Sequence, residues 1–241
     1  MKLPTIVLVH GAWGGAWIWR RVLGPLRGAG HEVHAVTLTG DGERAHLRRP
    51  DINLQTHVAD VLGLVEAEEL DDIVLVGHSY GGQVITGAAD RLLARNGKAV
   101  RQLVYVDAVV PLPGEGWGDK NTPEVVAART ALAHANGFAL PPGDPADFGL
   151  AGADREWLLR RQVPHPFGTY RDPLAFDGER WARLPRAFID CTQPAFPTIA
   201  AMRERVRQMP GFEVFEIPTG HCPMVSAAPA LIEILLKLAS R

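Results

Sequence analysis

The chain has 241 residues, 46% of them hydrophobic and 22% charged, which fits one large α/β domain or two small ones around a sizeable core. A formal net charge of −2 excludes a basic field for nucleic acid or an anionic membrane surface. Two cysteines, Cys191 and Cys222, are too few for a disulfide framework, no apolar run is long enough to span a bilayer and no signal peptide is expected, so a cytoplasmic setting is expected.

Thr5-Ile6-Val7-Leu8-Val9-His10 is a β-branched run that predicts a strand buried on both faces. Residues 12–19 form a glycine- and tryptophan-rich loop that turns into a helix reaching about Gly30. Residues 31–38 predict a second strand, and 39–51 a polar loop. Val58, Val61, Leu62 and Val65 fall at helical spacing within 53–69. Ile73-Val74-Leu75-Val76 predicts a third strand, which runs into Gly77-His78-Ser79-Tyr80-Gly81-Gly82. A buried helix follows, with a stop expected at Asn96-Gly97. Residues 102–109 predict a fourth strand. Strand and helix alternating in this way imply a parallel sheet with right-handed crossovers.

The rhythm breaks over 111–185, which is rich in proline and glycine. It holds short helical pieces at 123–135 and 154–161 and the aromatics Trp117, Phe138, Phe148, Trp157, Phe167, Tyr170 and Trp181. An aromatic insertion at the carboxyl edge of a sheet reads as a cap over a site; a separate small domain is the alternative. Sheet rhythm resumes with strands at 187–192 and 213–217, a helix at 199–208, and a last helix from near Val225 bearing Leu231, Ile234, Leu235 and Leu238. The expected organisation is a core of residues 1–110 and 186–241, with about six mostly parallel strands flanked by helices and a helical cap at 111–185.

Ligands of open α/β sheets gather at the carboxyl ends of the strands, and three segments fall there. Ser79, between Gly77 and Gly81 on a strand-to-helix turn, has the pattern of a nucleophile elbow, although an ordinary tight turn also uses glycines. The helix after it aims free N–H groups at developing negative charge. His10-Gly11-Ala12-Trp13 forms a loop able to aim backbone N–H groups into the same crevice. Gly220-His221-Cys222-Pro223-Met224 follows the final strand, and among nine histidines His221 stands where a base for Ser79 belongs in chain order. His78 is expected to pack, and His10 to shape the loop.

His10-Gly11-Ala12-Trp13 with Gly15, Ala16, Trp17 and Trp19, then Gly77 to Gly82, then Gly220-His221 with Met224 and Pro229, resemble the α/β-hydrolase superfamily. The similarity is greatest to the branch of plant methylesterases, hydroxynitrile lyases and small bacterial carboxylesterases. It covers nearly the whole chain except 111–185. The resemblance implies Ser79 as nucleophile, His221 as base, and the N–H groups of Ala12 and Tyr80 as the oxyanion hole, with no cofactor and no metal.

The triad acid departs from that branch, where it follows the next-to-last strand; here the turn reads Thr192-Gln193-Pro194. Asp107, closing the fourth strand, is the first candidate and Asp190 the second, with Glu115 or no acid behind them. The threonine and lysine that hydroxynitrile lyases add are replaced by Ala12-Trp13 and Cys222-Pro223, which argues against cyanohydrin cleavage. The expected activity is hydrolysis of a small apolar or aryl ester through an acyl-enzyme. The alternatives are a small hydrophobic ligand receptor and another triad chemistry, such as a hydroxynitrile lyase or lactonase. The expected partner is the small-molecule ester, and the assembly a monomer or homodimer.

Overall fold

Continuous apolar runs of four to six residues can be buried only where both faces of a sheet are covered. The computed structural model describes residues 3–97 and 99–240 and builds such a sheet from these runs. Strands β1 (Thr5–Val9), β2 (Val33–Val36), β3 (Ile73–His78) and β4 (Val100–Val106) come from the first half of the chain. The 111–185 stretch carries the short strands β5 (Ala139–Leu140) and β6 (His165–Pro166), which pair antiparallel. Strands β7 (Arg186–Cys191) and β8 (Phe212–Ile217) complete a six-stranded sheet in the order β2-β1-β3-β4-β7-β8, parallel throughout.

Alternate residues divide between two cores. Val7, Val9, Ile73 and Leu75 face one apolar cluster, while Ile6, Leu8, Val74 and Val76 face the other. Helices α1 (Arg20–Gly28), α2 (Leu54–Ala67) and α3 (Gly81–Arg95) cross between the early strands. In the stretch between β4 and β7 lie α4 (Pro123–Ala135), α5 (Gly152–Leu159) and α6 (Gly178–Ala182). Trp181 of α6 reaches into the core, where its Nε1–H donates to the Tyr105 hydroxyl at 3.0 Å. Helix α7 (Ala200–Gln208) joins β7 to β8.

Two details depart from the sequence expectations. The final helix is broken into α8 (Pro223–Ser226) and α9 (Ala228–Ala239), because Pro229 has no N–H to continue the preceding turn and instead starts a new helix. Helix α3 stops with Asn96 in extended backbone (φ −140°, ψ 107°) rather than in a left-handed cap. Cys191 and Cys222 are both buried free thiols. Among the described residues, no helix is long and apolar enough to cross a membrane.

The register sets the site. Val9 pairs with Gly77, and His78 with Val106, so β1, β3 and β4 end at one level. The residues just past those ends are His10, Ser79 and Asp107. Strand order reverses direction between β1 and β3, which opens a crevice at their carboxyl ends.

Candidate active site

Ser79 sits on the turn between β3 and α3 with φ 52°, a left-handed value that side chains rarely adopt. Its N–H donates to Val106 O at 3.2 Å, and its carbonyl accepts from Gly82 N at 3.2 Å and Val109 N at 3.0 Å. The neighbouring glycines are needed for space: a Cβ on Gly77 would stand 2.6 Å from Gly81 O, and one on Gly82 2.1 Å from Val109 O. Trp13 (φ 64°) and Asp107 (φ 42°) share this strained geometry, so three of the loops around the crevice store backbone strain of about 1–3 kcal/mol per residue.

His221 lies in the loop after β8, 3% exposed. Its Nδ1–H donates to Asp107 Oδ2 at 2.7 Å, which fixes the tautomer and leaves Nε2 as an acceptor, 2.9 Å from Ser79 Oγ. Burial pushes the His221 imidazole down to about 3, with the charge of Arg203 acting in the same direction, so the ring is neutral at neutral pH. Burial also raises the Asp107 carboxyl to about 6, against the opposing pull of Arg203.

Asp190 and Glu115, the other carboxylates weighed from sequence, are engaged elsewhere. Asp190 Oδ1 accepts from Arg203 Nε at 2.6 Å and Oδ2 from Arg207 Nη2 at 2.5 Å. Glu115 forms a fork with Arg205 at 2.7 and 2.8 Å. Arg203 escaped sequence reading. Its Nη2 donates to Asp107 Oδ1 at 2.7 Å, so one guanidinium ties Asp107 to Asp190. The signal was available: Ile199, Met202, Arg203 and Val206 share the buried side of α7, where an arginine needs a partner.

His78 does more than pack. Its Nε2–H donates to the carbonyl of His221 at 2.8 Å, so His78 holds the backbone that carries the base. His10 shapes the neighbouring loop, as expected from its place: Nδ1–H donates to Gly11 O at 2.6 Å and Nε2 accepts from Leu38 N at 3.0 Å. Among the described residues, no hydrogen bond uses the N–H of Ala12 or Tyr80. Trp13, next to Ala12, donates its indole N–H to Leu140 O at 2.9 Å and accepts from Val163 N at 3.2 Å through its carbonyl.

Beneath Tyr80 lies a buried polar network. His57 Nε2–H donates to Thr39 O at 2.8 Å, leaving Nδ1 to accept the Tyr80 hydroxyl at 3.0 Å. His165 pairs with Asp41 at 2.8 Å and with Thr169 Oγ1 at 3.0 Å. Asp41, His57 and His165 bring three metal-ligand atoms within 4.8 Å of one another. Each imidazole nitrogen there already has a hydrogen-bond partner, so the group is a satisfied network instead of an open metal cradle.

Above Ser79 is a cavity of about 300 Å³. Its apolar wall is made by Trp13, Val109, Trp117, Val125, Leu140, Tyr170, Phe196 and Ile199, and its polar groups come from Gln83, Asn121, Arg129 and Thr198. Trp117 and Tyr170 of that aromatic wall come from the 111–185 stretch, and Trp13 and Phe196 from outside it.

Comparison with known proteins agrees with this architecture. The sequence matches the model of the alpha/beta hydrolase family over residues 6–234. It is 41% identical over 248 residues to the carbendazim hydrolyzing esterase of Nocardioides sp. (strain SG-4G), covering 98% of this chain and 100% of that protein. It is 28% identical over 262 residues to a pyrethroid hydrolase of Sphingobium wenxiniae, covering 99% of this chain and 89% of that one. A solved extracellular alpha/beta-hydrolase from a Paenibacillus species superposes with a TM-score of 0.83 at 21% identity, over 97% of this chain and 98% of that chain. With the family model spanning nearly the whole sequence and a relative this similar from end to end, the chain belongs to the alpha/beta hydrolase family.

Proposed function

We propose that this protein is a serine ester hydrolase that works through an acyl-enzyme on small apolar or aryl esters. The observation that carries the reading is the hydrogen-bonded line Ser79 Oγ–His221–Asp107 at the floor of an aromatic cavity. Ser79 Oγ attacks the ester carbonyl carbon while His221 Nε2 takes its proton. The oxyanion is held by the N–H groups of Ala12 and Tyr80; losing one such donor costs about 3 kcal/mol of transition-state stabilisation. The C–O bond to the alcohol then breaks, and the leaving oxygen takes the proton from His221. Water attacks the acyl carbon with its proton going to His221 Nε2, the bond to Ser79 Oγ breaks, and Oγ is reprotonated as the acid departs. Asp107 holds the His221 tautomer and stabilises the imidazolium in both halves.

The cavity lies at the small end of the range of ligand pockets, about 300–1,000 Å³, and suits an aromatic group in contact with Trp13, Trp117 and Tyr170. Relatives named for hydrolysing carbendazim and pyrethroids support this direction. In this reading the stretch 111–185 is the cap that encloses the substrate. Asp107 at 2.7 Å from His221 supports turnover over a ligand receptor, because it supplies the third group of a triad.

Incubation with a fluorophosphonate followed by intact-mass and peptide analysis tests the reading. One adduct on Ser79, absent in Ser79→Ala and strongly slowed in His221→Ala, is expected. A wild-type protein that takes no label overturns it. A panel of p-nitrophenyl esters, lactones and amides then orders the substrate classes, with short esters expected first.

A further inference from the structure

Four polar side chains line the cavity above Ser79: Gln83, Asn121, Arg129 and Thr198. Three of them are provided for without a ligand. Asn121 donates its amide N–H to Trp117 O at 2.8 Å, and Arg129 and Thr198 are exposed, so bulk water serves them. Gln83 is different. It lies on the first turn of α3, four residues after Ser79, and is 3% exposed.

Its backbone N–H donates to Tyr80 O at 3.0 Å, but its carboxamide makes no hydrogen bond among the described residues. Neither carboxamide atom is sealed in as Trp19 Nε1 and His78 Nδ1 are, so the amide of this buried residue opens onto the cavity that Ser79 and His221 also line. A carboxamide offers one acceptor oxygen and two N–H donors. A substrate seated against Ser79 takes the place of solvent around that amide, and must return a donor and an acceptor to it or leave it buried and unpaired. A site built to hydrogen-bond its substrate rejects an isostere lacking the group far more strongly than an apolar pocket rejects a missing methylene. Among the described residues no carboxylate lines the cavity, so the donor it favours is a neutral N–H and not an ammonium.

We infer that Gln83 is a substrate-binding residue that selects esters carrying an amide-like edge, a carbonyl and an N–H side by side, on the group that fills the cavity. The inference rests on the ester-hydrolase reading above and narrows it. The preferred substrate is an aryl ester bearing a carboxamide or a comparable donor–acceptor pair, and an unsubstituted hydrocarbon ester of the same size is a poorer one. The aromatic walls at Trp13, Trp117 and Tyr170 hold the ring, and Gln83 reads the edge that the ring presents.

Matched esters isolate the effect. The meta and para methyl carbamoylbenzoates carry the edge on the acid side, and the meta and para carbamoylphenyl acetates carry it on the alcohol side. In each partner ester an isopropenyl group replaces the carboxamide with the same planar shape. In the wild type, kcat/KM is expected to favour the carbamoyl ester in at least one pair. Gln83→Met keeps the side chain's length and removes both polar atoms. There the preference is expected to shrink about tenfold to a hundredfold, through loss on the carbamoyl ester and gain on the isopropenyl one. A preference unchanged within about twofold overturns the proposal. So does a wild type that favours the isopropenyl ester in every pair, a measurement that needs no variant. A carboxylate preferred to the carboxamide in both proteins assigns the recognition to Arg129 and overturns it as well. If Ser79 takes no fluorophosphonate label, the hydrolase reading has failed, and titration with benzamide decides the role of Gln83. Binding about tenfold weaker in Gln83→Met supports that role, and equal affinity overturns it.

Discussion

Each oxygen of Asp107 has its own partner, Oδ2 the imidazole of His221 and Oδ1 the guanidinium of Arg203. Asp107→Asn puts an amide against Nδ1 and favours the wrong tautomer, so kcat on a p-nitrophenyl ester is expected to fall by about 10⁴-fold with the protein still folded. Asp190→Asn acts differently: it keeps most of the activity and loses about 3 kcal/mol of stability in urea titration, because Arg203 and Arg207 lose a buried charge partner. The pH profile follows from burial. A His221 imidazole pushed down to about 3 stays neutral as pH falls through 6.5, and Asp107, raised to about 6, is the first of the two to meet added protons. kcat/KM is therefore expected to stay level from about pH 8 to about 6 and to decline only below that; a decline centred at 6.5 or above would show an ordinary exposed imidazole instead. Ser79 and His221 were legible because each is marked by its immediate neighbours. The acid was legible only as a ranking, with Asp107 first by its place at the end of β4 and Asp190 and Glu115 behind it, and the direction of each carboxylate is what separates them.

At the scale of the element, β3, Ser79 and α3 form one unit whose glycines are set by what lies across from them. Gly82 and Gly24 are both helical, and helix propensity alone favours alanine at either by about 1 kcal/mol. The surroundings reverse the sign at one of them. Gly82→Ala places a Cβ 2.1 Å from Val109 O and is expected to lower stability by at least about 1–3 kcal/mol in thermal unfolding, while Gly24→Ala, with nothing within 4 Å, is expected to raise it by up to about 1 kcal/mol. Equal shifts at the two positions would mean that the elbow packs less tightly than its backbone contacts indicate. The sheet strands were legible because parallel strands buried on both faces read as unbroken apolar runs. The two-residue strands β5 and β6 were not, since a single pair of residues carries no periodicity.

Across the whole molecule, the 111–185 stretch is tied to the rest of the chain at residues that border the candidate site. His165 of β6 pairs with Asp41, Trp13 bonds to Leu140, and Val163 bonds back to Trp13. His165→Leu leaves the fully buried Asp41 without its partner, and a loss of about 1–3 kcal/mol is expected in urea titration; an unchanged midpoint would mean that this network does not fasten the 111–185 stretch. The sequence by itself determined the parallel sheet, the turn that carries Ser79, the loop at Ala12 and the histidine after the last strand, because each is written in a contiguous stretch by local sterics and periodicity. Only the tertiary structure decided that Asp107 faces His221, that Arg203 sits between two carboxylates, and that His78 holds the carbonyl of His221. Those groups lie from 13 to 143 residues apart, and their partnership is fixed by strand order and register, which chain-local patterns do not encode.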